Sequence, residues 1–146
     1  MSGPTTVSAT FLQKAAASFH TLAPCRVVDT RNAQSPFGDV PAPWSAPALT
    51  AGASRAFDIS GPLCGVPADA TAVALNVTVT APTNAGSLTL YPGTGPAPEA
   101  TTIHFPAGRT RANNVTMGLV GGVLSVLDRQ ETGTVELIVD VSGYYR

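Results

Sequence analysis

Residues 72–80 read AVALNVTVT, and this stretch decides the fold. Its larger apolar side chains stand at every second position, at Val73, Leu75, Val77 and Val79. Successive side chains of a strand point to opposite faces of a sheet, whereas an α-helix repeats after about 3.6 residues. The alternation therefore predicts a strand that buries one face and exposes a face of Ala, Asn and Thr.

The same alternation recurs at short intervals along the chain, with turn residues at 82–86, 121–122 and 131–133 between the repeats. Residues 53–59 predict a further strand. Residues 123–127 are apolar on both faces, as in a central strand or in a strand that lies under a neighbouring element. The alternating apolar positions are Leu88, Leu90, Ile103, Phe105, Val115, Met117, Leu119, Val135, Leu137, Val139 and Val141. This pattern predicts an all-β domain, an antiparallel β-sandwich or jelly-roll-like fold of about eight or nine short strands.

The length of 146 residues fits one domain. Residues 19–146 are predicted to form a single β-sandwich, and residues 1–18 an N-terminal arm or extension. A strand in this arm would pair with the sheet of another copy; a frayed terminus and an Ala-rich helical turn are the alternatives. The possible assembly contacts in the arm are Thr6, Val7, Ala9, Phe11 and Leu12.

Charge is scarce, since charged residues make up 12% of the chain, against about 25% in ordinary soluble domains. The formal net charge is -1 and Lys14 is the only lysine, so the chain lacks the basic stripe of a nucleic-acid-binding protein. The outward strand positions carry mostly Thr, Asn, Ser and Ala. Sheets with such faces and with edges free of lysine are open to self-association, which predicts a homo-oligomer or polymer. A composition bias of exported proteins is the alternative.

No run of about 18 apolar residues occurs, so the sequence predicts no membrane insertion. The N-terminus lacks the basic start and apolar segment of a signal peptide. An exported form would therefore have lost its leader, or would use a route that the sequence does not show.

The two cysteines, Cys25 and Cys64, lie in Pro/Gly-rich segments, with Cys25 expected just before the first core strand. A disulfide between them would stabilise the fold by about 3–4 kcal/mol and would indicate an oxidising compartment. Two buried free thiols are the alternative.

Six of the few charged residues lie in the segments RVVDTR, GRTRANN and VDVSGYY. Arginine–carboxylate pairs among them would fasten the start of the domain to its later strands. A site for a sugar or carboxylate ligand is the alternative. The residues of this predicted ion-pair network are Arg26, Asp29, Arg31, Arg109, Arg111 and Asp140.

The sequence predicts no catalytic, cofactor-binding or metal-binding residues. His20, expected before the first strand, and His104 have no metal-ligand spacing between them. There is no G-x-S-x-G motif and no calcium-loop spacing of aspartates. A hydrolase would need a cleft that brings one of these histidines beside a carboxylate or a serine, and we expect none.

The only tryptophan, Trp44, lies in a Pro/Ser/Gly-rich loop over 32–47 and is the possible glycan contact. Together with Tyr91, Tyr144 and Tyr145 it would form an aromatic platform for sugars. Core or loop packing is the alternative, because aromatic residues are only 6% of the chain.

Taken in order, the segments RVVDTR, CGVP, LNVTVTAP, LTLYP, TRANN and DVSGYY resemble an exported β-domain family of actinobacteria and other soil bacteria. The resemblance covers residues 19–145, nearly the whole chain. Members stand alone or are appended to secreted enzymes and surface proteins. The resemblance implies an extracellular or cell-surface location and supplies no catalytic residues.

Two functions follow as hypotheses. The first is a structural subunit of an extracellular assembly, a filament or a surface layer, built by packing of sheet faces and by addition of an N-terminal strand. The second is a cell-wall or polysaccharide-binding module.

Overall fold

The protein's structure, a computed structural model, describes residues 16–31 and 46–146. Within these ranges the chain forms nine strands and no helix. The strands are β1 (Phe19–Asp29), β2 (Leu49–Thr50), β3 (Ser54–Asp58), β4 (Ala72–Thr80), β5 (Gly86–Pro92), β6 (Ile103–Phe105), β7 (Arg111–Gly118), β8 (Val123–Asp128) and β9 (Thr134–Tyr145). The predicted contact residues of the arm and Trp44 lie outside the described residues.

The strands form two antiparallel sheets that pack against each other, which confirms the predicted all-β sandwich. The larger sheet has five strands in the order β1-β9-β4-β7, with β2 paired to β9. The smaller sheet has four strands in the order β3-β8-β5-β6. Every pair of neighbouring strands is antiparallel.

The core lies between the two sheets and consists of the alternating apolar residues. Val73, Val77 and Val79 of β4 are 0% exposed, and they face fully buried residues such as Phe57 and Leu124 of the smaller sheet. Each aliphatic side chain buried in this way contributes about 1.5–3 kcal/mol relative to an exposed position. Strand β8, apolar on both faces, lies between β3 and β5 as a central strand, as its sequence predicts.

Strand β1 is held by a disulfide, Cys25–Cys64, whose Cα atoms are 5.6 Å apart. This bond confirms the predicted pairing and leaves no free cysteine. The pairing of β1 with β9 shifts register between Thr21 and Cys25 and again between Arg26 and Val28. Because β1 begins at Phe19, the prediction that Cys25 and His20 precede the first strand is wrong. The bulges interrupt the regular alternation of side chains by which a strand is recognised in the sequence.

Candidate functional site

The outer face of the larger sheet, here called the open face, carries one polar residue from each of four neighbouring strands in a single row. Residues in register across a sheet point to the same side. Asp140 of β9 pairs with Arg26 of β1 and with Asn76 of β4, and Asn76 pairs with Asn114 of β7. We call Arg26, Asp140, Asn76 and Asn114 the polar row.

Two carboxylates at the β1 end of this row hold two guanidinium groups. The Arg26 Nε and Nη2 atoms donate to the two oxygens of Asp140 at 2.8 and 3.3 Å. The third nitrogen, Nη1, donates to Asp29 Oδ2 at 3.3 Å. Asp29 also accepts from Arg31 Nε at 2.8 Å and from Arg31 Nη2 at 2.7 Å. The four charges balance, because each carboxylate lies against an arginine.

The titration of Asp29 reflects these contacts. Its side chain is only 1% exposed, and burial alone would favour the neutral acid. The hydrogen bond from the Arg31 side chain nevertheless lowers the pKa of Asp29 below its ordinary value. In the same way, the hydrogen bond to Asp140 raises the pKa of Arg26. Asp29 and Arg26 are therefore held in their ionised forms near neutral pH.

The structure brings together four of the six residues predicted to form an ion-pair network, and it separates the other two. Arg109 and Arg111 make no ion pair with any described residue. Arg111 pairs in register with Val79, whose side chain is buried between the sheets, whereas Arg26 lies on the open face. Arg111 also lies on β7, at the opposite edge of the sheet from β1. The prediction that Arg109 and Arg111 belong to the ion-pair network was therefore wrong.

A depression of about 570 Å³ lies over the polar row. It exists because β1 leaves β9: residues 22–24 stand opposite the single residue Ser142 of β9. Pro24 forms one wall of the depression, and Ser142 lies at its floor beside the polar row. The Cys25–Cys64 disulfide follows Pro24 directly and fixes the position of this wall.

The two asparagines of the row have polar atoms available for a ligand. Among the described residues, Asn76 makes one side-chain hydrogen bond, a long one from Nδ2 to Thr78 Oγ1 at 3.5 Å. The amide of Asn114 is exposed and makes no hydrogen bond to any residue in the part of the chain that the structure describes. Each amide offers both a donor and an acceptor.

An exposed aromatic ring lies on the open face over Gly143, which follows the lining residue Ser142 along β9. Phe19 is 47% exposed, and its ring lies 5.0 Å from that of Tyr145. The Phe19 ring also covers Gly143, where a Cβ atom would come within 2.4 Å of Phe19 Cζ. A side chain at position 143 would therefore displace the ring from the open face.

The tyrosines of the predicted aromatic platform lie in three different environments. Tyr91 is buried on the smaller sheet, and Tyr144 packs against the core with its ring 4.9 Å from that of His20. Tyr145 alone lies with Phe19 on the open face. Phe19 was not among the predicted site residues, because only the register of β1 with β9 places it beside Tyr145.

The histidines lie far from the polar row. His20 stacks on Tyr144, and His104 Nε2 lies 2.8 Å from Thr101 Oγ1. Among residues 16–31 and 46–146, no group of three or more His, Cys, Asp and Glu side chains is placed to hold a metal ion. These residues also contain no helix that is long and apolar enough to cross a membrane.

The outer face of the smaller sheet, here called the covered face, lies under the loop 93–102. Thr89 Oγ1 donates to Ala100 O at 3.0 Å, and Ser125 Oγ donates to Gly93 O. Arg129 reaches from Thr89 Oγ1 to Pro98 O. Thr89 and Ser125 are 0% and 2% exposed as a result.

Comparison with known proteins adds no relative. No family model matches the chain, and no curated protein matches it significantly.

Proposed function

We propose that the protein is a structural subunit of an extracellular assembly in which strand β7 accepts a strand from another copy. The single observation that carries the proposal is the free edge of β7. Among the described strands it pairs only with β4, over eight consecutive residue pairs without a register shift. Such an edge is about 26 Å long and offers unpaired backbone groups to another chain.

The other edges of the two sheets carry features that oppose strand addition. Strand β6 has three residues, and Pro106 follows it. Strand β3 carries Arg55, which pairs with the inward-facing Val126 and lies 5.0 Å above the ring of Phe57. Strand β1 is broken by bulges. Inward charge, prolines, bulges and short length are the devices that protect natural edges, and β7 has none of them after Arg111.

The part of the open face next to this edge suits packing between copies. Its outward residues on β4 and β7 are small and uncharged, so contact would bury no charge. They include Ala74, Asn76, Thr78, Ala112, Asn114 and Thr116. The outward residues of β1 and β9 differ, since they include Arg26 and Asp140. Packing of faces is therefore favoured only on the β7 side.

The strand added to β7 would be the N-terminal arm of another copy, which alternates from Thr6 to Leu12. The disulfide and the family resemblance support an extracellular location for this assembly.

Deletion of residues 2–17 tests the proposal directly. The full-length protein should form polymers by light scattering and electron microscopy, and the deletion variant should stay monomeric. Full-length protein that remains monomeric at high concentration would contradict the proposal.

The acceptor edge is tested by a paired substitution on β7, Ala112→Lys with Thr116→Lys, which adds charge along the edge. We expect this variant to remain folded and monomeric. Ala56→Lys on the protected edge β3 is the matched control and should polymerise like the unaltered protein. Equal polymerisation of all three proteins would exclude β7 as the acceptor.

A second function, binding of cell-wall or other polysaccharide, is favoured by the depression over the polar row. The sequence-based candidate for this role, Trp44, is tested by Trp44→Ala in a pull-down on cell walls. No binding by either the unaltered protein or the variant would remove this function.

A further inference from the structure

We infer that the polar row and the Phe19 ring form a binding site for a neutral oligosaccharide. This inference rests on the polysaccharide-binding function above and gives it a site and a ligand class. It is independent of Trp44. The site spans the open face from β1 to Asn114 of β7, whereas strand addition uses the backbone groups at the edge of β7.

The chemistry of the polar row excludes an anionic ligand in favour of a neutral one. An acidic sugar needs an unpaired cation, but the Nε and Nη2 atoms of Arg26 already bind Asp140, and its Nη1 atom binds Asp29. Replacing those contacts with a ligand carboxylate would leave Asp29, only 1% exposed, with one arginine fewer. The guanidinium therefore orients Asp140 and is not itself free for an anion.

Hydroxyl groups match what remains available. Asp140 is an acceptor, and the amides of Asn76 and Asn114 each donate and accept. Adjacent strands lie about 4.8 Å apart, so the three side chains stand in a line with a regular spacing. Neighbouring hydroxyls of a sugar, which also donate and accept, can bind such a line at several points.

The Phe19 ring extends the site along the sheet. It covers Gly143, which pairs with Ala74, two residues along β4 from Asn76, or about 7 Å at the usual rise per residue. The C–H face of a sugar ring can pack on an aromatic ring, and ligand sites commonly combine apolar rings with a few placed polar groups. The separation between Phe19 and the polar row exceeds one sugar ring, so the ligand is an oligosaccharide or a polysaccharide segment.

The wall of the site depends on the disulfide. Pro24 borders the depression, and Cys25, the next residue, is bonded to Cys64. The site is therefore held in place before any ligand binds, which lowers the entropic cost of binding.

The test measures binding of the full-length protein to insoluble cellulose, chitin and isolated bacterial cell walls, and to soluble neutral and uronic-acid oligosaccharides by calorimetry. The variants are Asn76→Ala with Asn114→Ala, and Phe19→Ser. The control is Thr80→Ala, which alters the same face of β4 four residues from Asn76, where the hydroxyl contacts Thr110 Oγ1 and not the polar row. Thermal unfolding verifies that each variant is folded.

We expect binding to a neutral glycan, at least tenfold weaker in the double asparagine variant and in Phe19→Ser, and unchanged in Thr80→Ala. If binding survives in both site variants, the polar row and the Phe19 ring are not the binding site, and the polysaccharide-binding function belongs to another part of the molecule. Binding restricted to uronic-acid glycans overturns the ligand class. A protein that binds none of the probes overturns both the site and the polysaccharide-binding function, and polymer formation in the same samples reports separately on assembly.

Discussion

The two sheets carry similar polar side chains on their outer faces, but the chain satisfies them in different ways. On the covered face, Thr89 and Ser125 donate hydrogen bonds to the loop 93–102 and are buried. On the open face, Asn114 and Thr116 remain exposed. No described segment covers the open face as the loop 93–102 covers the other. Of the two outer faces, the described residues therefore leave only the open face available to a partner.

The two sheets also differ in their buried carboxylates, but here the partners are complete in the larger sheet and incomplete in the smaller one. Asp29 of the larger sheet lies against Arg26 and Arg31. Asp128 of the smaller sheet is 0% exposed, and its Oδ2 atom has no hydrogen-bond partner among the described residues. Burial raises the pKa of Asp128. The open face thus contains a satisfied charge network, and the covered sheet contains an unsatisfied carboxylate.

Removal of the disulfide is the largest expected change. The double variant Cys25→Ala with Cys64→Ala should lose about 4 kcal/mol of unfolding free energy, because the bond closes a loop across a separation of 39 residues. Urea unfolding measures the loss, and the reduced unaltered protein is the control. A loss below about 1 kcal/mol would show that pairing with β9 alone holds β1 at the border of the open face.

Asp29→Asn tests the paired carboxylate. The folded-state pKa of Asp29 is lowered, so its ionised form stabilises the fold above the unfolded pKa of about 3.9, and this contribution disappears as the pH falls through the folded pKa. We expect a loss of about 2 kcal/mol near neutral pH. The loss should shrink in acid, as measured by urea unfolding across the pH range; a loss independent of pH would contradict the ion pairing.

Asp128→Asn tests the unpaired carboxylate and should have the opposite sign. Its folded-state pKa is raised, so stability is fully present below the unfolded pKa and is lost as the pH rises through the folded pKa. The uncharged variant should be more stable by about 1.5 kcal/mol near neutral pH and should match the unaltered protein in acid. Asp69→Asn, at an exposed site, is the control; destabilisation by Asp128→Asn near neutral pH would reveal a partner for this carboxylate.

Thr89→Val and Thr78→Val compare the two faces directly. On the covered face, valine removes hydrogen bonds to Ala100 O and from Arg129 Nε, at 3.0 and 2.9 Å, and leaves the carbonyl unpartnered. This should cost about 1 kcal/mol. On the open face the change should be within about 0.5 kcal/mol. Equal effects in thermal unfolding would mean that the loop 93–102 does not stabilise the covered face.

Much of the fold follows from local pattern. Strand β4 has the predicted bounds of 72–80, because every second residue is a buried aliphatic one. Strand β2, with two residues, is too short to show an alternation. The beginning of strand β1 was not predicted, since its bulges interrupt the alternation of apolar and polar side chains.

The candidate site was predictable only in part. Four charges of the ion-pair network were identified from their grouping in RVVDTR and VDVSGYY, and the same reasoning wrongly added Arg109 and Arg111. Asn76 and Asn114 were seen as outward strand residues without a role. Their alignment with Asp140 depends on which strands are neighbours, and a period of two carries no information about strand order.

The sequence by itself determined the class of fold and the inward faces, because side-chain alternation is a local property. With two cysteines, it also limited any disulfide within the chain to Cys25–Cys64. The tertiary structure alone decided which face is covered, which edge is free and which polar residues form a row. Those features depend on register and on the path of the loop 93–102, which bring together residues as distant along the chain as Arg26 and Asp140.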